Sequence, residues 1–304
     1  MMTNPFFPSI SPGMAREQFL VRDESWDDRF RPDFNQFIIA PLEYARPVIK
    51  LPVPPGRTGN HALFVVTSGQ IELTVGHQAY SLLATDLVII PALQIFSITT
   101  IREDTTGFMC FFSNELYIST VGDREPDFIK LTGNPLISLN ETQTGFITAI
   151  CNRLTIEYQE NGATQTDLIR PYLQALLTEI NRAYMGSTSA RITSADRFVQ
   201  QFMDLVAKHV RHQRLVTAYA DQLNVTPNHL NKVVKTRTGK SPSVWIDERI
   251  VLEAKVLLFQ STMTIAQIAT ELGFDDQSTF GKVFRRHANS SPTSFRSQCI
   301  GSND

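Results

Sequence analysis

Two hydrophobic rhythms divide this chain. Between Phe37 and Phe112 the apolar residues come in short runs: Phe37–Ala40, Leu63–Thr67, Gln70–Val75, Asp86–Ile90, Phe96–Thr99 and Gly107–Phe112. Each run is rich in β-branched or aromatic residues, which predicts strands. Pro54-Pro55-Gly56, Ser68-Gly69, Gly76-His77 and Pro91-Ala92 separate them as turns. Many short strands at this spacing predict a sandwich or a barrel. From Gly145 the period becomes helical. Phe146, Ile150, Leu154 and Tyr158 form one stripe; Leu168, Tyr172, Leu173, Leu176, Leu177 and Ile180 form a second, after a break at Asn161-Gly162. These predict a helical hairpin over residues 141–186. Thr166 or Asp167 is placed to cap the second helix, with Pro171 in its first turn, where a missing N–H costs little. The small polar stretch from Gly186 to Ala190 reads as a linker, taken as 187–193, and residues 1–35 as an irregular arm ordered around Phe6, Phe7 and Trp26. Asp196–His209 is a further helix, with Phe198, Phe202, Leu205 and Val206 along its stripe.

The last third of the chain repeats itself, and a repeat is read before other patterns. Ala220, Leu223 and Asn224 align with Ala269, Leu272 and Gly273 at an offset of 49; Leu230, Lys232 and Val233 align with Phe280, Lys282 and Val283 at an offset of 50. Each copy predicts a helix–turn–helix. A small alanine sits where two helices approach. Asn224 or Gly273 supplies the left-handed residue of the turn. Thr226 and Asp276 are N-cap types, and Pro227 follows at the first helical position. Thr264 with Gln267 is a capping box opening the second copy, whereas the first copy has Leu215 at the matching place. Leu230, Val233 and Val234, like Phe280, Val283 and Phe284, mark the buried side of each second helix. Between the copies, Val244, Ile246, Ile250, Leu252, Ala254, Leu257 and Leu258 predict one long helix over Ser243–Gln260.

Charge sharpens this division. Residues 191–304 carry 15 Lys and Arg against 10 Asp and Glu, while residues 1–190 carry 13 against 20, so a near-neutral chain conceals a basic half joined to an acidic one. That asymmetry fits a DNA-binding domain attached to a domain of another kind. No apolar run approaches the ~20 residues of a membrane helix, and the N-terminus has no basic and apolar signal pattern. The expectation is a cytoplasmic protein of about two domains. Cys110, Cys151 and Cys299 are too scattered for a disulfide framework or a zinc site.

The run Asn60–Leu73 followed by Ala84–Pro91 resembles the small jelly-roll of the cupin superfamily. Enzymatic cupins carry His and Glu metal ligands on two strand motifs. Here His61 stands alone, and the second motif continues as Ala92-Leu93-Gln94-Ile95-Phe96. One imidazole is not a three- or four-ligand site, so no metal, no cofactor and no catalytic residue is expected. A barrel of this size can still hold one small molecule. Strand ends place Tyr44, Arg46, Lys50, His61, Phe64, Gln94 and Phe96 as candidate ligand contacts; the alternative is that they are ordinary core and rim residues.

Arg249 to Leu258, Ile265 to Ala269, Gly273 to Phe280 and Ser291 to Arg296 look like the DNA-binding domain of AraC/XylS-type transcription regulators. One departure is Asn289, where that family usually has Gly. The resemblance implies an α+β protein: a cupin-like β-barrel sensing domain (1–140), the helical hairpin, here a dimerisation element (141–186), and an all-α domain of two helix–turn–helix units joined by a linker helix (194–300). It implies base contacts from Asn228, Asn231 and Lys232 on the first reading helix, and from Gln277, Ser278, Thr279 and Lys282 on the second. Asn and Gln suit adenine, and Lys suits guanine. Lys235, Arg237, Lys240, Arg285 and Arg286 are candidate phosphate contacts, which position a protein without reading sequence. The implied partners are double-stranded DNA, a small-molecule effector, a second copy of the chain and, for an activator, RNA polymerase. The alternatives are a constitutive DNA-binding dimer and a cupin enzyme fused to a DNA-binding domain.

Overall fold

The structure, a computed structural model, describes residues 36–121, 135–162, 166–187 and 193–301. The predicted N-terminal arm and most of the predicted linker lie outside them. The chain forms two compact units, Met1–Ala190 and Arg191–Asp304.

Among the described residues, the N-terminal unit has nine strands: β1 (Phe37–Pro41), β2 (Val53–Gly56), β3 (Asn60–Ser68), β4 (Ile71–Val75), β5 (Gln78–Leu82), β6 (Asp86–Ile90), β7 (Phe96–Ile101), β8 (Thr106–Ser113) and β9 (Leu136–Ser138). Short helices α1 (Leu42–Ala45) and α2 (Asn114–Val121) flank them, and α3 (Glu141–Asn161) and α4 (Thr166–Ser187) form the hairpin. The strands make two antiparallel sheets, β1-β8-β3-β6-β9 and β2-β7-β4-β5, rather than the closed barrel expected. One reason is local. Pro54-Pro55-Gly56, read from sequence as a turn, belongs to the edge strand Val53–Gly56, which pairs with β7 alone. Its Pro54 and Pro55 have no N–H for another ladder, so the sheet stops there.

The central strands β3 and β8 are apolar almost throughout because both faces are covered. Side chains alternate along a strand. Ala62, Phe64 and Val66 therefore share one face, and His61, Leu63 and Val65 the other. Phe112 and Cys110, partnered with His61 and Leu63, extend the second face. That face is the one under α3: Phe37, paired with Phe112, meets Tyr158 of α3 edge-on at 6.0 Å. Both sheets and the hairpin share one apolar core.

The hairpin is present, but its buried stripes are rotated from those expected. Ile147, Cys151, Leu154 and Tyr158 face inward on α3, and Ile169, Leu173, Leu176, Leu177 and Ile180 on α4. Phe146 and Leu168, assigned to those stripes from spacing, are 57% and 41% exposed. The sheet selects the inward face, and Ile147 and Ile169 sit one residue further on. Asn140 caps α3 through a reciprocal box with Gln143, which the sequence reading did not include. Because α4 already begins at Thr166, Pro171 falls in its second turn, where the absent N–H costs one intrahelical bond.

The C-terminal unit contains α5 (Ser194–His209), α6 (Val216–Gln222), α7 (Pro227–Thr238), α8 (Pro242–Gln260), α9 (Ile265–Glu271), α10 (Gln277–Ala288) and α11 (Pro292–Gly301). Its core joins Phe202 and Val206 of α5 to Leu230, Val234, Phe280 and Phe284 of the two reading helices, around Ile250, Ala254 and Leu257 of α8. The linker helix runs nearly as predicted. Among the described residues, no helix is long and apolar enough to cross a membrane.

Close backbone approach fixes Gly107. A Cβ on Gly107, at φ +137°, would lie 2.0 Å from the Val65 carbonyl oxygen, whereas one on Gly59 would meet nothing within 4 Å. Gly107→Ala should destabilise the N-terminal unit by about 3 kcal/mol, while Gly59→Ala stays within ~0.5 kcal/mol. Urea unfolding of the two variants measures the difference.

Candidate nucleic-acid interface

The two repeats fold into two units that match bond for bond at their turns. Val225 N–H donates to the Ala220 carbonyl at 3.0 Å, and Phe274 N–H to the Ala269 carbonyl at 2.9 Å. Asn224 (φ +55°) and Gly273 (φ +71°) hold the left-handed position. Ala220 and Ala269 are fully buried, as a close crossing of two helices requires. The reading helices α7 and α10 then start on side-chain caps: the Thr226 hydroxyl accepts the His229 N–H, and the Asp276 carboxylate accepts the Thr279 N–H at 2.7 Å. Those bonds from the Thr279 N–H and hydroxyl hold the Asp276 carboxyl below its usual range. Gly239 and Asn289 end the reading helices in left-handed geometry. Asn289 reaches φ +55° without glycine, as a short polar side chain can.

Unlike the turns, the openings differ. Thr264 and Gln267 form a complete capping box on α9. Leu215 at the start of α6 makes no cap bond and is 71% exposed.

Each reading helix buries one side and exposes the other. Leu230 and Val234, and likewise Phe280 and Phe284, are fully buried. Val233 and Val283 are only half-buried. Asn228, Asn231 and Lys232 on α7, and Gln277, Ser278, Thr279 and Lys282 on α10, are all exposed. The Thr279 hydroxyl is turned back into the cap, donating to Asp276 at 2.7 Å. His229, which the sequence reading passed over, is also exposed on α7, edge-on to Phe198 at 5.8 Å.

The phosphate candidates divide. Lys235, Arg285 and Arg286 are exposed and form no ion pair among the described residues. Arg237 instead donates to the Thr193 hydroxyl at 2.9 Å, beside Asp196 in the capping box of α5. Lys240 pairs with Glu248 at 2.7 Å and lies over the Trp245 ring. Both cations already have partners within their own unit.

A buried ion-pair cluster is anchored on the linker helix. Glu253 of α8, 1% exposed, accepts Arg211 on one carboxylate oxygen at 2.9 Å and Arg249 on the other at 3.0 Å. Arg296 of α11 donates to the carbonyls of Leu258 and Met263, closing the end of α8. Arg211 carried no signal in the sequence, because it stands in an aperiodic loop and its partner is 42 residues away.

The ligand candidates of the N-terminal unit do not converge. His61 is 3% exposed; its Nδ1 accepts the Ala92 N–H and its Nε2 faces Asn114. The ring also stacks on Phe112. Both ring nitrogens are occupied, and burial lowers its pKa to about 4. Phe64 projects from the opposite face of the same strand, and Phe96 lies in the other sheet. Arg46 bonds the Ile101 carbonyl and Glu103, Tyr44 is 62% exposed, and Lys50 and Gln94 are half-buried.

Residues 219–298 match the family described as "Helix-turn-helix domain". The Arabinose operon regulatory protein of Escherichia coli (strain K12) is 28% identical over 105 residues, 34% of this chain and 36% of that protein. The Lactose operon transcription activator of Staphylococcus xylosus is 21% identical over 241 residues, 77% of this chain and 82% of that protein. The chain carries a helix–turn–helix domain over residues 219–298 and is similar there to the arabinose regulators. It covers only 36% and 45% of the length of the two arabinose regulators it matches. A crystal structure of unsaturated fatty acid bound ToxT from Vibrio cholerae is similar over 88% of this chain and 96% of that one, at 17% identity and a TM-score of 0.46. The helix–turn–helix match spans both reading helices and the linker helix between them.

Two outcomes follow from the geometry. Leu215→Ser should supply the missing cap on α6 and stabilise the C-terminal unit by ~1 kcal/mol, seen as slower hydrogen exchange in α6. For His61, ionisation favours the unfolded chain, because 6.5 is the ordinary value and the folded one is about 4. Stability of the N-terminal unit is therefore complete above about pH 6.5 and falls as the pH drops towards 4, by on the order of 3 kcal/mol. Urea unfolding across that window should show the slope, and His61→Gln should flatten it.

Proposed function

We propose that this chain is a sequence-specific DNA-binding transcription regulator, acting as a dimer and responding to a small molecule held by its N-terminal unit. The observation that carries the DNA-binding part is the pair of reading helices. Both are capped, both have one side locked in a common core, and both present polar side chains able to bond base edges outward. No catalytic role is assigned to any residue. Relatives named as transcription activators favour activation, with RNA polymerase as a further partner and the cytoplasm as the compartment.

Asn228, Asn231, Lys232, Gln277, Ser278 and Lys282 are assigned to bases, with Thr279 confined by its cap. Lys235, Arg285 and Arg286 are assigned to phosphates. Arg237 and Lys240 would have to leave an existing partner to join them. Dimerisation is assigned to the hairpin, which leaves Phe146, Ile156, Leu168 and Met185 exposed.

A second reading, a constitutive DNA-binding dimer with no effector, draws support from the N-terminal unit. Phe64 and Phe96 belong to its continuous core, and the ring nitrogens of His61 are already bonded. A screen of small metabolites for shifts in melting temperature separates the two: no shift favours the constitutive form.

Selection from random duplexes should yield one preferred site. On it, Lys282→Ala or Asn231→Ala should cost ~1–3 kcal/mol and relax preference at one base pair. An equal loss on preferred and random DNA sinks the base-reading assignment. Arg286→Ala should weaken all DNA alike and reduce the salt slope by about one unit.

A further inference from the structure

The loop between α5 and α6 grips both helix–turn–helix units at once. Gln213 faces the first unit. Its carbonyl accepts the Tyr219 hydroxyl at 2.6 Å, and its side-chain oxygen accepts the Gln222 amide at 3.0 Å, both from α6. Arg211 and Arg214 face the linker helix and the second unit. Arg211 is bound to buried Glu253 of α8 and lies 3.6 Å from Glu271 of α9. Arg214 donates to the Gly273 carbonyl at 3.2 Å and stacks its guanidinium 3.8 Å above the Phe274 ring, at the turn of the second unit. A Cβ on Gly273 would come 3.2 Å from the Arg211 carbonyl oxygen, so that turn rests directly on the loop.

The linker helix packs against both units within one shared core. This loop adds a second, independent connection between α6 and the α9 turn. Two rigid connections between two bodies remove the hinge and twist that one helix leaves free. We propose that the Arg211–Arg214 segment is a clasp that fixes the distance and angle between α7 and α10. It thereby determines which spacing of two half-sites the chain accepts on DNA. Arg211 and Arg214 touch no base in this scheme; they are positioning residues for specificity. The buried anchor suits that role, because removing either arginine takes a charged partner from one oxygen of Glu253, which is out of water, so the locked arrangement is strongly preferred. Reading helices held on one rigid frame must meet successive major grooves at a set separation, and a mismatch has to be met by deforming the DNA.

The inference rests on the DNA-binding reading for its consequence, but not for its geometry, and the test separates them. In the full chain with Cys299→Ser, spin labels at exposed positions 236 of α7 and 286 of α10 report the separation of the reading helices without DNA. The parent should give one narrow distance, and Arg211→Gln and Arg214→Ala a broad one. Arg214→Ala leaves the buried Glu253 pairs intact, so it carries the test if Arg211→Gln fails to fold. An unchanged narrow distribution in folded Arg214→Ala overturns the clasp. Binding is then measured on the preferred site and on versions with one or two base pairs inserted between the contacted segments. The parent should lose about tenfold or more per insertion, and the clasp variants roughly threefold or less. Equal penalties in parent and variant overturn its role in spacing. A parent that selects no sequence at all sinks the DNA-binding reading, while the distance measurement still decides the clasp.

Discussion

The C-terminal unit is organised around a carboxylate that water cannot reach. Glu253 sits on the face of the linker helix that also carries Ile250, Ala254 and Leu257 into the core, and two guanidiniums meet its two oxygens there. Desolvating such ions costs several kcal/mol each, and the mutual attraction offsets this only with good geometry. An apolar trio could pack as tightly. What it could not supply is direction: two oxygens, two forks and one angle at which they fit. The reading helices inherit that angle, because Phe280, Phe284, Leu230 and Val234 pack around the same linker helix.

Local capping provides what the core cannot. A reading helix has to expose its N-terminal turn, where backbone N–H groups lack partners. Thr226 and Asp276 satisfy one each from the helix's own chain, so the first turn stays ordered while its outer face remains polar and uncovered. Every base-reading candidate lies within that frame. The basic residues on its rim divide by whether a neighbouring acid has claimed them. Lys240 and Arg237 are held by Glu248 and by the α5 cap; Arg285 and Arg286 are not.

In the N-terminal unit the governing constraint is coverage of both sheet faces. β3 shows it best. His61 and Phe64 are three residues apart and both buried, one beneath the α2 and α3 side, the other on the face opposite. A strand so enclosed reads as one continuous apolar run, and nothing in its sequence says which layer each residue enters. Strand ends therefore gave a list of ligand candidates that the sheet divides between two faces.

The sequence by itself determined whatever depends on neighbours a few residues apart. The helix–turn–helix repeat, its left-handed turn residues, the Thr264 capping box and the exposed side of each reading helix all follow from spacing within one or two turns. The long linker helix follows for the same reason. Weak local patterns hid the rest: the edge strand with Pro54 and Pro55, the exposed strand β5, and the turn of α3 that buries Ile147 and leaves Phe146 out. Tertiary structure alone decided that Arg211 reaches Glu253, that Arg214 lies on Phe274, and that Arg237 and Lys240 point to partners in the protein. A charged side chain looks the same in sequence whether it meets water, a phosphate or a buried carboxylate. Only the packing of distant helices chooses among them, because that packing sets which charges lose their water.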